Sequence, residues 1–531
     1  MGTVILQHLD FTKGSFGPTG ASVAYLNCIP LSRYHDCCDI TSIIISLDCA
    51  DGCLIKVRQL FLDGSVIEEE KEVNGHREFY IDSGDLVVLE PMQLSCELKG
   101  TVEAEAKRKR IVTLEHVVCT YRREEVILQK IKLFSSVGLQ NYHMTIVDNG
   151  STLYAIESPS VTVISSPNLG GSSGFTRGIV SGLERGCTHI LLNDDDAYVN
   201  PEAIFRIIQF LSLVSEEYVE SSITGVFLDV QNPNIIRETG GRYDKGLLKL
   251  CNEGKDVRTD SGLLSILSDE AANYSAWTCC CIPSSVIQKN GLPLPLFVRM
   301  DDIEYGIRLK KKELAIPGIS VWHPTSINYP LRYCYYDIRN SLTTLSCLNN
   351  LDRDSVGNIM NMVLSEIAAY RYDCAEEMLK GIYDFMKGPD YVFNNCKKGM
   401  HKVANVYQER SDNLRNKLKK KRKTLNVSRK VRSLTMNGLF LPSLGDIELQ
   451  RCETETRYFY RVGKVLYISN DGMGVLRSRS FWQSIKLTMK VLEAKRKIVG
   501  NIQKLNSIYS SSKEQYTSLE QWQKMWDESI I

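Results

Sequence analysis

Three consecutive carboxylates, Asp194-Asp195-Asp196, follow the apolar run Leu191-Leu192 and Asn193. Residues i and i+2 of an extended segment point the same way, so Asp194 and Asp196 can share one cation. Oxygen ligands of this kind suit magnesium or manganese. The plainer alternative is an acidic loop or a helix cap ahead of Pro201. A second acidic group, Asp301-Asp302 with Glu304, follows an apolar stretch beginning at Phe297. These acids suit the positive end of a helix starting near 301, and equally a general base that deprotonates a sugar hydroxyl. His323, in Val321-Trp322-His323-Pro324, reads either as a packed imidazole or as a ligand.

Between these groups lie features with weaker individual meaning. Asn168-Leu169-Gly170-Gly171-Ser172-Ser173-Gly174 is a glycine-rich loop opening a helix, where backbone N–H groups can meet a diphosphate. It is neither of the familiar nucleotide-binding glycine patterns, and a simple strand-to-helix turn is the alternative. Asp148, in Asp148-Asn149-Gly150-Ser151, could accept from a base or ribose hydroxyl, or could serve the turn itself. Arg122 and Arg123 could meet phosphate or uracil oxygens, or be surface charge.

The elements that must position these residues alternate strand and helix. Strands are expected at Ile111–Cys119, Tyr142–Asp148, Thr162–Ser165 and Thr188–Asn193, and helices at Glu124–Ser136, Gly174–Arg185 and Glu202–Ser212. That rhythm implies a parallel sheet with helices on both faces, whose ligands gather at the strands' carboxyl ends. Cys119–Arg123, Asp148–Ser151 and Asp194–Asp196 all fall at such ends. Before this domain, residues 1–20 read as a loose arm. Short runs at Ser42–Leu47, Leu54–Leu60, Arg77–Ile81, Leu86–Leu89 and Met92–Leu98 then predict a small β-sandwich or barrel. Glu103–Arg110 reads as a charged connector. Beyond about 350 the pattern is mainly helical, at Ser355–Ala369, Ala375–Met386 and Ser484–Ser507, with a hairpin near Tyr458–Ile468. The expected domains are therefore 1–108, 109–348 and 349–531.

Composition limits the partners. The chain has 531 residues, 64 Lys+Arg against 63 Asp+Glu, and 43% hydrophobic residues, so no global charge favours nucleic acid. Neither a secretory leader nor an apolar run of bilayer length is expected. The 17 cysteines lack a repeating metal spacing, which suits a reduced, cytoplasmic protein. Lys417, Lys419, Lys420, Lys421, Arg422 and Lys423 form a basic block, either a solvated loop or a site for an anionic membrane surface.

Taken in order, VVCTYRR (117–123), IVDNGS (146–151), NLGGSSGFTRG (168–178), LLNDDDAYVNPEAI (191–204), FVRMDDIEYGIRL (297–309) and VWHPT (321–325) resemble inverting glycosyltransferases of family 2, which have the GT-A fold. The nearest likeness is the bacterial galactofuranosyltransferase branch, which also has a β-sandwich before the catalytic domain and a helical region after it. The resemblance implies an α/β GT-A-type catalytic domain and Asp194, Asp196 and His323 as ligands of Mn2+ or Mg2+. It places Asp195 beside the donor and gives Arg122, Asp148 and Asn168 to the nucleotide. Asp302 becomes the catalytic base, with Asp301 and Glu304 orienting acceptor hydroxyls and Trp277 in the acceptor wall. The branch carries paired tryptophans there, whereas Thr278 follows Trp277 here. The implied donor is a nucleotide-sugar, UDP-galactofuranose, and the implied acceptor a lipid-linked or oligosaccharide cell-surface glycan. The implied location is the cytoplasm, at the inner face of the membrane, with a homo-oligomer left open. The other readings are a rhamnosyl- or glucosyltransferase using a dTDP- or UDP-sugar, a nucleotidyltransferase, and a non-catalytic carbohydrate-binding protein.

Overall fold

The computed structural model describes residues 2–92, 97–154, 158–268, 272–324, 331–397, 409–418, 421, 425, 427–450, 456–469 and 472–529. The N-terminal part comprises β1 (Gly2–Asp10), α1 (Val23–Leu26), α2 (Leu31–Cys38), β2 (Ile43–Leu60), β3 (Val66–Ile81), β4 (Leu86–Pro91) and β5 (Lys99–Ala106). All five strands belong to one hydrogen-bonded sheet, ordered β1-β5-β2-β3 with β4 also on β2, rather than to the two sheets of a sandwich. β5 pairs with residues 44–48 of β2, and β4 with residues 55–60. Between these halves the register shifts at Cys49/Cys53, around Gly52 at φ 76°. A bulge bends a strand without ending it, so the two runs expected at 42–47 and 54–60 are one strand.

Three further expectations change here. The presumed arm is β1, whose Val4, Leu6 and Leu9 are buried. The presumed connector begins as β5, because Val102 and Ala104 supply an inward face between its charges. The run at Met92–Leu98 lies largely outside the described residues. β1 also ties this sheet to α5 (Pro201–Leu213) of the central domain. His8 meets Glu202 at 2.8 Å, and Arg206 donates to the carbonyls of His8 and Leu26.

The central sheet contains β6 (Leu114–Thr120), β7 (Tyr142–Asp148), β8 (Val161–Ser165), β9 (His189–Asp194), β10 (Tyr198–Val199), β11 (Ser222–Asp229) and β12 (Ile236–Glu238). A small hairpin of β13 (Gly241–Asp244) and β14 (Leu247–Leu250) lies beside it, and β15 (Cys280–Pro283) and β16 (Glu313–His323) complete it. Its order is β10-β16-β11-β15-β9-β6-β7-β8, with β12 on β11. β15 runs antiparallel to β9 and β11, so the sheet is mixed rather than purely parallel. Besides α5, helices α3 (Glu124–Ser135), α4 (Gly170–Glu184), α6 (Asp260–Leu267), α7 (Ser284–Asn290) and α8 (Asp301–Leu309) intervene. Glycines spaced by four let α4 press onto the sheet: a Cβ at Gly174 would lie 2.2 Å from Cys119 Sγ, and one at Gly178 2.1 Å from Val117 Cγ1. That close approach sets the start of α4 over the strand ends.

The C-terminal part is mainly helical: α9 (Leu331–Cys347), α10 (Arg353–Ala368), α11 (Tyr372–Phe385), α12 (Pro389–Asn394), α13 (Ser411–Arg415), α14 (Arg429–Leu434), α15 (Phe481–Val499), α16 (Ile502–Tyr516) and α17 (Leu519–Glu528). The helix expected over Ser484–Ser507 is broken at Gly500 into α15 and α16. The expected hairpin exists as β19 and β20 of a four-stranded sheet formed by β17 (Glu409–Arg410), β18 (Gly445–Gln450), β19 (Val462–Ile468) and β20 (Met473–Ser478). α17 returns to the central domain, where Trp522 donates to Pro293 O and Trp526 to Ser173 Oγ, both at 2.9 Å. Of the basic block, Lys417 pairs with Glu409 and Lys421 with Glu448; Lys419, Lys420, Arg422 and Lys423 lie outside the described residues. Among the described residues no helix is long and apolar enough to cross a membrane.

Candidate active site

β6, β7, β9, β11 and β16 run in one direction, so Thr120, Asp148, Asp194, Asp229 and His323 close one edge of the sheet. There His323 Nε2 lies 2.9 Å from Asp196 Oδ1 and 3.9 Å from Asp194 Oδ2. One ligand atom from each of Asp194, Asp196 and His323 falls within 4.8 Å of the others. Two carboxylates and an imidazole at that spacing fit a divalent cation of the manganese or magnesium type.

The surroundings set the charges. Asp194 is pushed up to about 7 by withdrawal from water, with His323 opposing and its acidic neighbours reinforcing the shift. Burial also pushes Asp196 up, but the His323 and Arg123 bonds and charges outweigh it and hold Asp196 below the usual carboxylate range. Arg123 Nη1 reaches Asp195 at 2.9 Å and Asp196 at 2.5 Å, while Thr120 Oγ1 donates to Asp195 at 2.8 Å. Arg122, expected at the nucleotide, takes φ 56° and lays its guanidinium over Tyr121; Arg123 is the arginine that bonds the aspartate triplet.

Beneath the triplet, Lys130 on α3 donates to Asn193 Oδ1 at 2.5 Å, Asp194 O at 2.9 Å and Ala197 O at 3.0 Å. Burial pulls this ammonium down to about 8, and the three aspartates oppose the change. Nothing in the helical pattern of α3 marked it.

Asp148, expected at the nucleotide, is 1% exposed, and its oxygens accept from the N–H groups of Gly150, Thr152 and Leu153 at 2.8, 2.6 and 2.7 Å. It thereby caps its own turn. Asn168 is half-buried at the start of α4, where its Oδ1 accepts from Gly170 N–H at 3.1 Å.

Across the cleft, Asp301 and Asp302 open α8. Asp301 rises to about 8 through burial first and the charge of Asp302 second. Asp302 also rises through burial, against the Ile303 N–H and Arg299. A Cβ placed on Gly171 would lie 3.6 Å from Asp301 Oδ2, so Asp301 adjoins the start of α4. Glu238, at the end of β12, is 6% exposed and pushed up to about 8 by burial and by Asp302. No sequence signal distinguished it.

The two residues expected at the acceptor are both buried. Glu304 forms a bidentate pair with Arg308, at 2.8 and 3.1 Å, and braces α8. Trp277 is 5% exposed and packs edge-on against Phe175 and Tyr305.

No protein-family model matches the chain. The galactofuranosyltransferase GlfT2 of Mycobacterium tuberculosis is 25% identical over 273 residues, covering 46% of this chain and 42% of the relative. GlfT2 of Mycolicibacterium smegmatis is 22% identical over 417 residues, covering 69% of this chain and 62% of the relative. The chain thus spans less than two thirds of either relative's length. A solved mannosyltransferase from Pyrobaculum calidifontis, in complex with GDP-Man and Mn2+, aligns over 45% of this chain and 64% of its own at 10% identity and a TM-score of 0.31. The likeness to galactofuranosyltransferases implied by the motifs is present, at low identity.

Proposed function

We propose that the protein is an inverting, cation-dependent hexosyltransferase that moves galactofuranose from UDP-galactofuranose onto a hydroxyl of a growing cell-surface glycan. The observation that carries this reading is an Asp194/Asp196/His323 cluster lying close enough to the carboxylate pair at the start of α8 for Asp194 to feel the charge of Asp302, and Asp301 that of Asp194. Similarity to the two GlfT2 enzymes supports the choice of sugar.

The residues divide the work. Asp194, Asp196 and His323 would hold Mn2+ or Mg2+. A divalent cation bound there supplies neutralisation of the charge that grows on the diphosphate leaving group. Asp195 and Arg123 line the donor side, and the N-terminus of α4 offers backbone N–H groups and a favourable dipole to the phosphates. Asp302 takes the proton of the acceptor hydroxyl as that oxygen attacks the anomeric carbon opposite the diphosphate. A single displacement from the far face inverts the centre, so the paired-carboxylate geometry of glycosidases is not needed.

A lipid-linked acceptor would place the enzyme at a membrane, and a surface feature supports that. Phe440 and Phe481 rings lie 5.5 Å apart and Phe481 and Trp482 5.2 Å apart, with Trp482 78% exposed. Exposed Lys486, Met489 and Lys490 follow on α15. Aromatic and aliphatic side chains flanked by basic ones suit an anionic bilayer surface. Trp482→Ala should stop flotation with anionic vesicles; undiminished flotation removes this face from the reading.

The reaction is tested with UDP-galactofuranose, Mn2+ and a synthetic galactofuranosyl acceptor, following the product by NMR. The expected product carries the new residue with inverted anomeric configuration. A retained configuration, or no transfer from this donor while another UDP- or dTDP-sugar is used, overturns the assignment.

A further inference from the structure

Ser172 is fully buried three residues into α4. Its N–H is one of the first-turn donors that lack an intrahelical acceptor, and it donates to Phe297 O at 3.2 Å. In return, Phe297 N–H donates to Ser172 Oγ at 2.9 Å. This two-bond bridge joins the glycine-rich start of α4 to the strap of residues 296–300, which runs directly into Asp301 and Asp302.

The strap is under unusual constraint. Phe297, Arg299 and Met300 take φ of 74°, 67° and 69°, a region non-glycine residues occupy only where their surroundings impose it. On its far side, Asn340 Nδ2 donates to the carbonyls of Leu296, Val298 and Arg299 at 3.0, 2.9 and 2.9 Å. Arg339 Nη2 adds a bond to Leu296 O at 2.9 Å, and both side chains are fully buried. On its near side, even a Cβ at Gly170 would come 2.0 Å from Phe297 O. The strap is held between α9 and the first turn of α4.

We propose that Ser172 is a positioning residue that couples the donor site to the catalytic base: a diphosphate on the first turn of α4 stiffens the strap through the Ser172–Phe297 bridge and so fixes Asp301 and Asp302. This rests on the donor reading above. Occupancy of one half of the cleft then prepares the other, and the acceptor meets an aligned base only when the donor is present.

Hydrogen exchange on the full chain with UDP and Mn2+ tests this without turnover. Wild type should gain protection at amides 297–303 on ligand binding. Ser172→Ala should lose most of that gain while keeping UDP affinity within about threefold. In turnover, its kcat should fall roughly 10- to 100-fold with donor KM little changed, since a misplacement of about 1 Å costs on that order. Gly170→Ala, which presses on Phe297 from the same side, should give a similar loss, and the double variant no more than either alone. If UDP binds wild type and the strap gains no protection, the proposal falls, whether or not the variants fold. A Ser172→Ala protein that melts earlier yet keeps kcat also overturns it. If UDP does not bind wild type at all, the donor reading fails instead.

Discussion

Asp194, Asp195 and Asp196 lie at a strand end among Arg123, His323 and Lys130, whereas Asp302 has Arg299 beside it, itself engaged by Asp337 at 2.7 Å, and Glu238 has Arg237. Burial raises the carboxylates on both sides, Asp194 to about 7 and Asp301 and Glu238 to about 8. Asp196 alone among the three strand-end aspartates is held below its usual range, by His323 and Arg123. A carboxylate kept anionic by cations is fit to hold another cation. One left short of cations is fit to take a proton, because its basicity moves toward working pH. Environment, more than residue type, separates the two roles.

The sharpest way to break this comparison is to remove one member from each side. Asp196→Ala should abolish transfer and leave the far-ultraviolet circular dichroism unchanged, because a partly exposed strand-end carboxylate contributes little packing. Asp302→Asn keeps shape but cannot take a proton, so kcat should drop by roughly 10²–10⁴ with UDP affinity unaltered. Undiminished transfer by the first variant, or by wild type in excess EDTA, removes the metal assignment. Collapse of nucleotide binding in the second moves Asp302 to the donor side.

A smaller effect is expected at Lys130. Its charge repels a cation in the neighbouring metal site, yet its three bonds brace the loop that presents the ligands. Those acceptors are buried in part and lose their donor in Lys130→Met, so bracing should outweigh relief of repulsion. Partners behind metal ligands typically contribute about 10- to 100-fold in affinity; Mn2+ affinity by calorimetry should weaken by roughly that factor. Tighter binding would mean that repulsion dominates.

The range of the forces involved decides which features were legible in the sequence. Tyr142–Asp148 and the strand leading into Asp194 were legible because local apolar runs fix them. The partner of Glu304 was legible too: Arg308 lies four residues on, the spacing of a helical ion pair. At Asp148 the Asn-Gly turn took the carboxylate for its own N–H groups, and next to Arg122, whose backbone is left-handed, it is Arg123 that bonds the aspartate triplet. Lys130, Glu238 and Ser172 were not legible, since each acquires its role from a partner that only the folded chain supplies. The one-sheet arrangement of the N-terminal part was hidden for a related reason: Asp51-Gly52 marks both a turn and a bulge, and only the pairing with β3 distinguishes them.

The smallest effect is a slope in thermal stability. Asp194 rises to about 7 and Asp301 and Glu238 to about 8, from ordinary values of 3.8, 3.8 and 4.5. Between about pH 4 and 8 the folded chain therefore holds protons that the unfolded chain has released, and stability must fall as pH rises through that window. Asp196 works in the opposite sense, but its lowered value places its loss of stability at acid pH, below the window. His116 and His189, pushed down by burial to about 3 and about 4, oppose the fall only below about pH 6.5, so the three carboxylates prevail between pH 5.5 and 8. Without metal, Tm should thus be a few degrees lower at pH 8 than at pH 5.5, given that about 1 kcal/mol moves Tm by roughly 2–4 °C in a domain of 150–250 residues. Mn2+ competes with protons for Asp194, so its stabilisation should be larger at pH 8 than at pH 5.5. Glu238→Gln should flatten the metal-free slope without changing the Mn2+ increment, because Glu238 belongs to the acceptor side. Scanning fluorimetry across this range, with and without Mn2+, reads all three. A Tm that climbs from pH 5.5 to 8 in the absence of metal, or a Mn2+ increment that Glu238→Gln removes, would erase the distinction between the two sides of the cleft.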